Sequence, residues 1–144
     1  MTSEMIDLAR QNTKKLGINN TEFKLGEIEK LPIGDNSIDV IISNCVINLS
    51  PDKLKVFKEA YRVLKKNGKM LVSDIVLLKQ LEDWQREDKE LISGCVGGAV
   101  LKEEYIAIAK KAGFIVKILS EDKEISKRQY TGIPLESLKI EATK

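Results

Sequence analysis
Histidine is absent from the 144 residues, and cysteine occurs only twice, as Cys45 and Cys95. Without imidazole the chain has no Ser-His-Asp or Cys-His nucleophile pair. Two thiols with no histidine cannot close a four-ligand zinc site either. No apolar run approaches the roughly 18 residues that cross a bilayer, and the first residues lack the charged-then-apolar form of a signal peptide. A cytoplasmic location follows as the expectation, with both thiols reduced. Charge of one sign is also missing. The formal net charge is +2, built from interspersed lysine and glutamate, which leaves no electrostatic footprint for nucleic acid. Internal repeats, low-complexity tracts and inter-domain linkers are absent too.

What remains is one domain's worth of soluble, globular chain, residues 1–144, long enough to bury a core. Met5, Leu8, Ala9, Asn12 and Leu16 recur at helical spacing and predict a helix over 3–16, capped by Thr2 or Ser3 and stopped by Gly17. Residues 21–25 read as a short strand, and 26–37 as a loop punctuated by Pro32, Gly34 and Asp35-Asn36-Ser37. Residues 38–43 form an apolar run broken only by Asp39, as in a parallel strand covered on both faces. Ser50-Pro51-Asp52 is a helix start; the helix follows Leu54, Phe57, Tyr61 and Leu64 to Asn67-Gly68. A strand over 69–78, a helical rhythm through Leu81, Trp84, Asp88, Leu91 and Ile92, and a helix over 102–112 come next. Residues 115–119 and 135–143 complete the set as strands. Leu138, Ile140 and Ala142 alternate with Lys139 and Glu141 in the last of them.

This alternation of helices and strands means an α/β sheet with helices on its faces, and the two strands at the end suggest an antiparallel edge hairpin. The order is similar to the second half of the class I S-adenosylmethionine-dependent methyltransferase fold, a Rossmann-like sheet. On that resemblance the chain supplies strands 3, 4, 5, 6 and 7 of the spatial order 3-2-1-4-5-7-6. Gly26-Glu27-Ile28-Glu29-Lys30-Leu31-Pro32 resembles the loop that brackets adenine, and Met1-Thr2-Ser3-Glu4-Met5 the segment after strand 2. Asn67-Gly68-Lys69 and Lys111-Ala112-Gly113-Phe114 are common across the superfamily. The specific part is Ser43-Asn44-Cys45-Val46-Ile47-Asn48-Leu49-Ser50 together with Gly94-Cys95-Val96-Gly97-Gly98-Ala99. It resembles the arsenite S-adenosylmethionine methyltransferases.

The resemblance implies that Cys45 and Cys95 ligate trivalent arsenic, because thiolates prefer soft, polarisable centres. For either cysteine alone the plainer alternative is a small buried hydrophobe. The resemblance also implies S-adenosylmethionine as cofactor. Glu27 would accept from the adenine amino group, the Ile28 backbone would meet the ring, Asn44 would lie near the methionine end, and Met1 against the adenine. The plainer alternatives are a solvated loop with one apolar anchor for Glu27 and Ile28, a strand terminator for Asn44 and a frayed end for Met1. Glu82, Asp83, Glu87, Asp88, Glu103 and Glu104 read as solvated helix faces, and Trp84 as core or lid packing.

Two departures from the family shape the expectation. The sequence has no glycine-rich cofactor loop and no ribose-binding acid, and the family's third arsenic-binding cysteine lies upstream. An N-terminally truncated arsenite methyltransferase, impaired or inactive alone, is therefore expected, with weak or absent cofactor binding. The alternatives are a non-catalytic thiol- and metalloid-binding fragment, and an assembly module completed by another chain. Losing strands 1 and 2 would open the edge of the strand over 38–43. Either the flanking strands close up as neighbours or two copies associate, with a homodimer favoured.

Overall fold
A computed structural model of the chain describes residues 2–81, 96–130 and 133–144. The elements are α1 (Ser3–Lys15), β1 (Ile38–Asn44), a 3-10 turn (Ile47–Leu49), α2 (Lys53–Val63), β2 (Leu64–Leu77), α3 (Lys102–Lys111), β3 (Ile115–Asp122), α4 (Ile125–Gln129) and β4 (Leu135–Thr143). The four strands form one sheet in the order β1-β2-β4-β3. β1 runs parallel to β2, and β4 is antiparallel to both β2 and β3. The α/β expectation and the terminal antiparallel pair are therefore met. The expected direct hairpin is not, since α4 lies between β3 and β4.

Residues 21–25 are not a strand. A strand is defined by its ladder, and among the described residues none lies beside this segment to supply one. It neither pairs with β1 nor closes the sheet, so four of the five expected strands form. β1 is consequently an edge rather than a strand covered on both faces, with Val40 53% and Ile42 79% exposed.

Helix ends follow local chemistry more closely than the sequence pattern does. Thr2 caps α1, accepting from the Met5 N–H at 3.4 Å. The apolar stripe of α1 is mostly unpartnered, with Met5 and Leu8 exposed and Ile6 buried. For α2 the cap is Asp52, which accepts from the Lys55 N–H at 2.9 Å, while the Ser50 hydroxyl accepts from the Asp52 N–H one turn earlier. α2 also stops sooner than expected, at Val63, and the chain enters β2 directly. Asn67-Gly68 instead forms a left-handed kink inside β2 (Asn67 φ 64°), where pairing with β1 jumps from Leu64 to Lys69.

The main core lies between one sheet face and α2 and α3. Met70, Val72, Leu138 and Ile140 project from β2 and β4 onto Val56, Phe57, Ala60 and Tyr105. Phe57 meets Tyr105 and Phe114 edge-on, with centroids 5.6 and 6.3 Å apart, the geometry that the ring quadrupole favours. A second cluster, around Ile75, Leu77, Val96, Ala99 and Leu135, pins the turn at 96–98 to the sheet. This core puts the carboxyl end of β1 and the start of α2 on a rigid base.

Candidate functional site
In open α/β sheets, ligands bind outside the carboxyl ends of parallel strands, and here that rim carries Asn44 and Cys45. Cys45 continues the ladder for one residue, donating its N–H to the Ser73 carbonyl at 2.9 Å. It then turns left-handed (φ 53°), a conformation that costs a non-glycine residue roughly 1–2 kcal/mol. The thiol is half-buried, with Sγ 3.9 Å from Asn44 Oδ1.

A cleft of about 640 Å³ opens beside this turn, lined by Glu27, Ile28, Leu31, Val46 and Leu49 among others. A trough of about 270 Å³ adjoins it and shares Ile28, Leu31 and Val46, adding Ile41 and Asn44. Glu27 and Ile28 thus line the cleft and Ile28 and Asn44 the trough, and Cys45 sits in the chain between Asn44 and Val46, two residues lining the trough. Glu27 is exposed and Ile28 half-buried. Met1 and Cys95 lie outside the described residues, as do the helix expected around Trp84 and the acidic cluster at 82–88. Among the described residues no group of three or more His, Cys, Asp or Glu could hold a metal ion.

The loop carrying Glu27 and Ile28 is tied down by residues that the sequence reading did not single out. Arg62 donates to Glu59 and Asp35 and to the carbonyl of Ile33 at 2.9 Å. Glu59 in turn accepts the Leu31 N–H at 2.7 Å. The hydrogen bond from Arg62 is the main reason the Glu59 carboxyl is held below its ordinary pKa. On the far side, the Ser50 hydroxyl donates to the Glu29 carboxylate. Gly26 closes the loop where a Cβ would sit 2.6 Å from Pro32 Cδ.

Beneath the Cys45 turn lies a buried polar cluster. Asp74 is 1% exposed and accepts from the Tyr105 hydroxyl at 2.6 Å. Burial raises the Asp74 pKa to about 6, against the opposing pull of Tyr105, Lys53 and the Cys45 N–H. Desolvation lowers the pKa of Lys53, which donates to the Ser50 carbonyl at 3.2 Å. Asn48 donates to the Ile75 carbonyl at 2.7 Å. Gly98 packs against the same turn so closely that a Cβ there would lie 1.8 Å from the Asn48 carbonyl oxygen. A third cleft, of about 430 Å³, lies between Asn48, Lys53 and Gly97-Gly98.

The methyltransferase domain family matches residues 1–113, and the chain belongs to it. By sequence it is a homologue of arsenite methyltransferases. It is 44% identical to the arsenite methyltransferase of Halobacterium salinarum over 124 residues, which are 85% of this chain and 32% of that protein. It is 40% identical to the arsenite methyltransferase of Homo sapiens over 123 residues, 79% of this chain and 33% of that protein. The crystal structure of an arsenic (III) S-adenosylmethionine methyltransferase from Chlamydomonas reinhardtii superposes with a TM-score of 0.82 at 34% identity, covering 100% of this chain and 53% of that one. YcgJ from Bacillus subtilis shares the fold alone, at a TM-score of 0.72 and 19% identity, over 99% of this chain and 79% of that one. The chain thus spans about a third of the length of the curated relatives first matched, 32% and 33% in these two cases.

Membership of this family implies S-adenosylmethionine. The exposed Glu27 carboxylate and the half-buried Ile28 side chain line one cleft, a pairing of acceptor and apolar surface that suits a flat heteroaromatic ring bearing an amino group. The 9 glycines include no pair two positions apart, so the G-x-G-x-x-G cradle is not in this sequence.

Proposed function
We propose that this chain is the substrate-binding portion of an arsenite-type S-adenosylmethionine methyltransferase, with Cys45 and Cys95 as thiolate ligands of As(III). The observation that supports it most is the placement of Cys45. It stands at the carboxyl end of a parallel strand, in a left-handed turn, between Asn44 and Val46, which line the trough. Glu27 and Ile28 would hold the adenine, Asn44 would face the methionine end, and Met1 would close over the ring. Bound S-adenosylmethionine would supply an electrophilic methyl group: an As–C bond would form from the arsenic lone pair as the sulfonium S–CH3 bond breaks and the thioether, S-adenosylhomocysteine, leaves, with no proton for a general base to take. The protein's share is then positioning, which can contribute roughly 7–11 kcal/mol when reacting atoms are held at near-attack distance. Thiolates keep the arsenic electron-rich and oriented, and a histidine-free chain suits that task.

A cytoplasmic setting, which keeps both thiols reduced, and a homodimer formed across the open β1 edge complete the proposal. A second reading is a non-catalytic metalloid-binding fragment, or a module completed by another chain. The exposed Val40 and Ile42 on β1 favour it.

The test is titration of the reduced protein with As(III). About one equivalent per chain is expected, and Cys45→Ser or Cys95→Ser should each abolish most of the binding. Equal binding by wild type and both variants would overturn the shared site. Calorimetry should show weak S-adenosylmethionine binding. A low-micromolar dissociation constant, roughly −8 kcal/mol, would contradict the view that this chain lacks most of the cofactor site.

A further inference from the structure
The buried polar cluster under the Cys45 turn has no part in the scheme above, and its composition needs an explanation. Burying a carboxyl is unfavourable unless its hydrogen bonds are satisfied. Asp74 meets that condition on one side only. Its Oδ2 is held by Tyr105 at 2.6 Å, whereas Oδ1 has no hydrogen-bond partner among the described residues. An apolar side chain would carry no such cost, so stability alone does not explain an aspartate there.

Its position does. Asp74 follows Ser73, whose carbonyl takes the Cys45 N–H. Its side chain points to the helix-covered face, as do those of Met70, Val72 and Val76. The Tyr105–Asp74 hydrogen bond thus fixes β2 at the residue next to the one whose carbonyl holds the Cys45 N–H. Tyr105 is 1% exposed on α3 and fixed edge-on by Phe57. The chain of contacts therefore runs from a packed aromatic on α3, through a carboxyl on β2, to the left-handed residue that carries the thiol.

We propose that Asp74 and Tyr105 are positioning residues for Cys45, holding the strand-end turn so that the thiol is presented to the cleft in one orientation. The pair acts through the Cys45 backbone and touches no substrate. The inference rests on the reading of Cys45 as a ligand. It nevertheless has a readout that does not depend on arsenic.

The experiment uses the full chain and three variants: Tyr105→Phe, which keeps the ring packing and removes the hydroxyl; Asp74→Leu, which removes the acceptor; and Asp74→Asn, which keeps an acceptor oxygen. Alkylation of Cys45 by iodoacetamide, followed by peptide mass spectrometry, reports on the turn itself. As(III) titration reports on its use. Tyr105→Phe and Asp74→Leu should speed alkylation, because the turn loosens, and should weaken As(III) binding by about tenfold to a hundredfold, the cost of ångström-scale misplacement. A change in opposite directions is the mark of positioning, since altered access alone would move both the same way. Asp74→Asn should recover most of the wild-type behaviour. If Asp74→Leu does not fold, Tyr105→Phe and Asp74→Asn carry the test. Alkylation and affinity within twofold of wild type in Tyr105→Phe would overturn the inference. So would an Asp74→Asn protein as impaired as Tyr105→Phe. If wild type binds As(III) no better than Cys45→Ser, the ligand reading fails on its own, and the alkylation rates still decide the roles of Asp74 and Tyr105.

Discussion

Replacing Gly98 by alanine places the new methyl group 1.8 Å from the Asn48 carbonyl oxygen, where ordinary contact begins near 3.4 Å, so the two segments must separate by 1.6 Å (3.4 − 1.8). The clash is with backbone, and no rotamer change relieves it. Neither side yields easily. Asn48 is anchored to β2 through the Ile75 carbonyl, and the turn at 96–98 is pinned by Val96, 0% exposed, and Ala99, 7% exposed. Overpacking of this kind costs about 1–3 kcal/mol, and for a chain of this size each kcal/mol lowers Tm by roughly 2–4 °C. Thermal unfolding followed by circular dichroism should therefore show a drop of several degrees. Gly34→Ala, where a Cβ would meet nothing within 4 Å, is the control and should stay close to wild type. On the proposed function, As(III) affinity should fall as well, since Cys45 precedes Asn48 by three positions and Cys95 precedes Gly98 by three. A Gly98→Ala protein with unchanged Tm and unchanged As(III) titration would refute the close approach and the conclusion drawn from it.

Asp74 should leave a signature in the pH dependence of stability. Its folded pKa, raised from 3.8 to about 6, means that the native state holds this proton more tightly than the unfolded chain. The associated stability is full below about pH 4 and is lost as pH rises through about 6, a difference of about 3 kcal/mol. Urea melts from pH 4 to 7 should show that decline in wild type but not in Asp74→Asn, and parallel profiles would contradict it. Ile42→Lys, at a 79% exposed edge position, should change stability by less than about 0.5 kcal/mol yet abolish any dimer seen by sedimentation. A dimer that survives it forms elsewhere. Lys144→Met removes an ammonium bonded to Asn36 Oδ1 and to the carbonyls of Tyr61 and Leu64, and lying 4.7 Å from the Tyr61 ring centroid. A loss of about 1–3 kcal/mol is expected, and an unchanged urea midpoint would count against it.

Elements set by local pattern were legible in the sequence. The alternation of Leu138, Ile140 and Ala142 gave β4 with its bounds, 135–143, the apolar spacing in α1 gave a helix over 3–16 against Ser3–Lys15, and the helix expected over 102–112 is α3, Lys102–Lys111. What was misread depended on partners. Residues 21–25 carry strand-like residues, but a ladder needs a neighbour, and none is present among the described residues. The apolar run of β1 suggested burial on both faces, whereas an apolar sequence cannot say whether anything covers it. Ser50 reads as the capping hydroxyl with Asp52 as a first-turn acid, but the helix begins two residues later than that, at Lys53, and Asp52 is the cap.

The site divides the same way. Asn44, Cys45, Glu27 and Ile28 could be singled out because each lies in a short contiguous string with a recognisable resemblance. The groups that hold those strings in place form pairs far apart along the chain. Asp74 and Tyr105 are separated by 31 positions, Asn48 and Ile75 by 27, and Leu31 and Glu59 by 28. Neither spacing nor residue type marks such pairs in one sequence, because an aspartate in a strand and a tyrosine in a helix have many ordinary uses.

On the proposed function the reaction needs no general base, and that changes which residues should matter. When the nucleophile brings its own electron pair, catalysis rests on where atoms are held, and the groups that set the geometry carry more of the rate than any proton donor. In this chain those groups are a glycine without room for a Cβ, a buried carboxyl held by a tyrosine, and an arginine that braces Glu59, Asp35 and the loop beside Ile28. Substitutions at such tethers should therefore disturb thiol and cofactor-end chemistry more than substitutions at the exposed acidic residues Glu103 and Glu104 of α3. A variant series ordered by distance from these tethers, rather than by charge, is the ordering that the geometry requires.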